Sequence, residues 1–188
     1  MSLISLALAV ALVGGSTQST KPKPPTLPET FTANANVVGK AGAAAATFKI
    51  RLDRYVADHD RDAIRGALKS GGYPAFLTAL RAAPALGELT HGGETFTVRW
   101  ATQEPVKNGR TIVVITDKPV AFVGGGAINA KPRAGYEVAL VRFNMDDAGL
   151  GSGEMAAAAR VKPGGETGVV IDDYAEKPIK LVTVTKAF

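Results

Sequence analysis

Beyond residue 29, polar and apolar positions alternate along most of the chain with the two-residue period of half-buried strands. Thr30 to Val37 starts the pattern, and Gly39 to Gly42 interrupts it. Thr47 to Tyr55 resumes it, with Phe48, Ile50 and Leu52 on one face and Lys49, Arg51 and Asp53 on the other. Further strands are expected at Glu94–Ala101, Arg110–Asp117, Val120–Val123, Tyr136–Phe143, Glu154–Val161, Gly168–Ile171 and Ile179–Lys186. In Glu94–Ala101, Phe96, Val98 and Trp100 share one face by parity. Asn108 and Gly109 form a tight-turn signal between two of these runs. The unbroken Ile112–Ile115 run predicts a strand covered on both faces.

Between residues 58 and 84 the period turns helical. Asp58, Asp60 and Asp62 crowd a first turn, where carboxylates meet the positive end of the helix dipole. Ile64, Ala67 and Leu68 form an apolar stripe, and Gly71 and Gly72 end it. Pro74 suits the first turn of a second helix, whose buried face is Phe76, Leu77, Leu80 and Ala83. A helical hairpin is therefore expected. The order of elements predicts an α+β domain over residues 30–188. It would be a mainly antiparallel curled sheet or barrel of about nine strands carrying the hairpin, with a two-sheet sandwich as the alternative.

Residues 1–29 follow another pattern. Leu3 to Val13 is almost entirely apolar, too short to span a bilayer but long enough for the core of a signal peptide ending near residue 16. No Lys or Arg precedes the run, a departure from the usual positive start. Residues 17–29, with Lys21, Lys23 and Pro22, Pro24, Pro25 and Pro28, read as a tether. Export to the periplasm or medium is expected, with no transmembrane span once the signal peptide is removed.

Composition narrows the chemistry. The 188 residues contain no Cys, which excludes disulfides, thiolate metal sites and a cysteine nucleophile. The formal charge is +5. Lys49, Arg51 and Arg99 could form a basic patch, but stacking aromatics do not share its parity, so a nucleic-acid partner is not expected.

Several blocks in a fixed order carry a resemblance: Lys49–Tyr55, Asp60–Lys69, Phe76–Leu80, Val98–Pro105, Gly109–Pro119 and Glu137–Met155. Through them the chain resembles an uncharacterised family of exported bacterial proteins, each a signal peptide followed by one β-rich domain. The resemblance implies export and a single domain. It implies no activity, cofactor or catalytic residue.

The candidate sites are thin. Asp58–Asp62 starts like a calcium loop, but Ala63 replaces the turn glycine and Lys69 the closing Glu. Asn144–Gly149 fails similarly at Ala148 and Met155. Gly124–Gly126 and Gly149–Gly153 lack the spacing of phosphate or dinucleotide loops. Beyond the leader and the tether the serines are Ser70 and Ser152, and the histidines are His59 and His91, too few to assign a triad. Asp172 and Asp173 are the adjacent carboxylates to inspect for hydrolysis, although neighbouring strand residues point to opposite faces. Four alanines in Glu154–Arg160 either admit close helix packing or leave room for a ligand. In the second case Phe96, Trp100, Phe143 and Met155 would line the cavity. No catalytic residue, metal or cofactor is assigned. The expected function is a non-enzymatic exported binding or interaction module of the bacterial envelope, partnered by an envelope protein or a small apolar ligand. The alternatives are an apolar-ligand carrier using a barrel interior and a carboxylate-dependent envelope hydrolase.

Overall fold

The computed structural model describes residues 25–39, 42–120 and 133–187. The expected signal peptide, most of the expected tether, Gly124–Gly126 and nearly all of the strand expected at Val120–Val123 lie outside them. Nine strands and one helix follow in chain order: β1 (Glu29–Gly39), β2 (Gly42–Leu52), α1 (Asp58–Ala82), β3 (Gly87–His91), β4 (Glu94–Val106), β5 (Gly109–Thr116), β6 (Val138–Met145), β7 (Leu150–Pro163), β8 (Val169–Tyr174) and β9 (Ile179–Lys186). All pairings are antiparallel. β1 to β7 pair in succession, β7 pairs with β9, and β9 returns to β1, which closes an eight-stranded barrel. β8 is the extra strand, held along the end of β7 beyond β9. Closure removes the sandwich alternative, and with a single helix among the described residues the fold is mainly β.

An eight-stranded barrel has an interior just wide enough for side chains to fill. Phe31, Phe48, Ile50, Leu52, Phe96, Val98, Ile112, Val114, Val141 and Phe143 fill this one. Phe143 meets Phe31 edge-on, with ring centroids 5.1 Å apart. The outer face of β9, β1 and β2 carries Thr32, Asn34, Thr47, Lys49, Arg51 and Thr183 instead. This apolar-in, polar-out alternation is the inverse of a lipid-embedded barrel. Among the described residues, no helix is long and apolar enough to cross a membrane.

A second core lies outside the wall. Ile64, Leu68, Phe76, Leu77 and Leu80 of α1 cover Trp100, Val113, Ile115, Val138, Leu140, Ala156 and Ala159. β5 is thus buried on both faces, as its Ile/Val run requires: Ile112 and Val114 point inward, Val113 and Ile115 lie under the helix.

The expected helical hairpin is corrected to a single kinked helix. Gly72 leaves helical geometry at φ 66° and ψ −160°, with Pro74 two residues on. One residue cannot reverse the chain. Both halves also carry their apolar stripes to the same barrel wall, so neither has a buried face to offer the other. Tyr73 pins the kink: its hydroxyl donates to the Ala159 carbonyl (3.0 Å) and accepts from the Glu137 amide (2.8 Å). Ala156 and Ala159 have the small side chains that let the helix approach the wall here. The short strand β3 is an addition to the expected pattern.

Candidate functional site

The four residues expected to line a cavity do not share one wall. Phe96, Phe143 and Met155 lie in the barrel interior, whereas Trp100 is fully buried in the outer core beneath α1. A bulge between Val98 and Trp100 separates them, because Val98 pairs with Thr116 and Trp100 with Ile115. The extra residue flips the parity that otherwise puts Trp100 with Phe96. The interior positions are surrounded by the barrel's own side chains.

The remaining sequence candidates find structural places. Asp58 and Asp60 occupy the first turn of α1, where Arg61 pairs with Asp58 at 2.9 Å. Asp146 closes the β6–β7 turn by accepting from the Leu150 amide at 2.8 Å. The Ser70 hydroxyl donates to the Gly66 carbonyl one helical turn back. The His91 ring stacks on Phe48, 4.5 Å between centroids. Arg99 leaves the supposed basic patch and caps α1 instead, donating to the Ala83 carbonyl at 2.6 Å. Lys49 and Arg51 stay exposed on β2, with Arg51 paired to Asp53 at 2.7 Å.

Asp172 and Asp173 do converge, through a bulge that overrides strand alternation. A register shift between Arg160 and Val161 places both on Arg160, at 3.0 and 3.7 Å. Lys162 adds a contact to Asp172 at 3.4 Å, and the Tyr136 hydroxyl donates to Asp173 at 2.5 Å. The Tyr136 hydrogen bond, joined by the Tyr174 amide, holds the Asp173 carboxyl below its ordinary value. Asp173, ion-paired and held below its ordinary value, is poorly suited to act as a general acid, which needs a raised pKa.

A buried polar cluster closes one end of the barrel, and sequence reading missed it. The Glu29 side chain has no exposed surface. Arg110 grips it bidentately at 2.6 and 3.0 Å, Lys186 sits at 2.8 Å, and the Tyr55 hydroxyl donates at 2.7 Å. Arg110 also donates to Gln103 at 2.6 Å. Burial alone would raise the Glu29 pKa; the hydrogen bonds from Arg110, Lys186 and Tyr55 outweigh it and lower the value. Burial, reinforced by Glu29, pushes the Tyr55 hydroxyl up. Arg110, Lys186 and Tyr55 all converge on the one carboxylate, so this cluster fastens strands from both ends of the chain.

Among the described residues, an open concavity lies on the outer wall. A groove of about 470 Å³ runs between β4–β7 on one side and the β7–β8 turn and β8 on the other. Leu140, Val170 and Ile171 supply apolar surface, Thr111 and Thr167 hydroxyls, and Glu104, Arg142, Glu154 and Glu166 charge. Strand register sets the charged rim, since Arg142 lies opposite Glu154 and Glu104 opposite Thr111. The turn is backed by α1: a Cβ on Gly168 (φ 87°) would stand 2.5 Å from the Arg65 Nε. The volume is within the range of small-molecule sites, about 300–1,000 Å³. No sequence motif marks this groove, because its residues come from five strands and a turn. No protein-family model, curated protein or solved structure matches the chain.

Proposed function

We propose that the protein is an exported, non-enzymatic binding module of the bacterial envelope, and that it binds in the groove on the outer wall of the barrel. The carrying observation is a contrast among the described residues: Phe31, Phe48, Phe96 and Phe143 pack the interior, while the outer wall holds a concavity of small-molecule size. The filled interior weighs against an apolar-ligand carrier, and the ion pairing of Asp172 and Asp173 weighs against a carboxylate hydrolase. Export rests on the apolar run Leu3–Val13 and the Pro/Lys tether, and on the resemblance to exported bacterial proteins.

Native mass spectrometry of protein purified from its own host tests the reading. A retained small molecule is expected on the wild type and not on Val170→Trp, which fills the groove with an indole. Retention that survives Val170→Trp but is lost when Phe143 or Met155 is changed would place the ligand in the barrel and overturn the reading.

A further inference from the structure

We propose that the groove takes a linear aliphatic oligoamine, an inference that rests on the groove being the binding site. The chain as a whole carries +5, yet this concavity inverts the sign. Glu104, Glu154 and Glu166 face a single guanidinium, Arg142, so the lining has a net formal charge of −2. An anionic ligand would meet three carboxylates. A sugar would find no aromatic face among the lining residues.

The placement of the acids points away from a metal ion as well. They come from β4, β7 and the β7–β8 turn, and among the described residues no three His, Asp or Glu side chains group closely enough to hold an ion. Separated carboxylates around an apolar floor match a chain that alternates ammonium groups with methylenes. The methylenes would lie on Leu140, Val170 and Ile171, while the ammonium groups donate charge-assisted hydrogen bonds to the glutamates. Arg142 is then the one unfavourable charge in the groove. That gives the proposal a prediction of unusual sign.

Isothermal titration of the full chain with spermidine at low salt, with glutarate as the anionic control, provides the test. Spermidine is expected to bind one to one and weaken as salt rises. Glu104→Gln, Glu154→Gln and Glu166→Gln should each weaken binding about two- to fivefold, as for partly exposed ion pairs. Arg142→Gln should tighten it by a similar factor, a gain that misfolding cannot imitate. Glutarate binding, or loss of spermidine binding in Arg142→Gln, overturns the assignment. Indifference to spermidine overturns it too. If the host-derived molecule is then still lost in Val170→Trp, only the oligoamine is wrong. If no molecule is retained at all, the groove reading falls with it.

Discussion

Glu29 shows how one residue can hold distant parts of the chain. Its carboxylate joins the start of β1 to Arg110 at the start of β5, Lys186 at the end of β9 and Tyr55 beyond β2. Removing one partner of a buried ion pair strands the others, at a cost of about 3–5 kcal/mol. Glu29→Gln should therefore lower unfolding stability by about that amount at neutral pH, read from urea midpoints. The pH dependence has a definite sign. Folded Glu29 releases its proton more readily than the unfolded chain, whose ordinary value is 4.5. The stability it contributes is fully present above that value and is lost as pH falls from there through the lower folded value. Wild type should lose stability steeply over that acid range and Glu29→Gln less steeply; parallel curves would show that the cluster is not the source. None of this was legible beforehand, because Glu29 and Arg110 stand 81 positions apart and neither belongs to a motif.

At the scale of elements, α1 and the wall beneath it fit through small residues. Ala156 and Ala159 are fully buried in the outer core, and α1 leans on them beside Tyr73. Ala156→Leu should wedge the helix away, costing about 1–3 kcal/mol as an overpacked contact. Trp100 lies in the same layer, so its fluorescence should shift to longer wavelength in that variant; an unchanged spectrum would place the strain elsewhere. The strands were legible where a single property decided them. Ile112 to Ile115 announced a strand covered on both faces, and Asn108 with Gly109 announced the β4–β5 turn, which closes where Val106 pairs with Gly109. Parity failed at Trp100 because a bulge adds one residue without changing the residue types around it. The two halves of α1 were legible as two apolar stripes. The helix's path was not, since both stripes seek the same wall and only the assembled barrel decides that.

Over the whole molecule, closure explains how a cysteine-free chain builds its core. The first strand pairs with the last, eight strands surround a packed interior, and the helix buries a second layer outside. Phe143→Ala should cost about 3–5 kcal/mol by opening a cavity in that interior. A denaturation midpoint shifted by less than a third of that would mean the interior collapses readily around the gap. The proposed leader is tested separately: the mature protein recovered from cells should begin close to residue 17, and a sequence starting at Met1 would contradict export by signal-peptide cleavage. Neither outcome bears on where the ligand sits. The central claim is that this barrel binds on its outer wall and not within. Residue-resolved NMR spectra of the protein carrying its co-purified molecule, compared with the stripped protein, test it most directly. The account predicts shifts concentrated at Glu104, Thr111, Arg142, Glu154 and Thr167; shifts concentrated at Phe96, Phe143 and Met155 would contradict it.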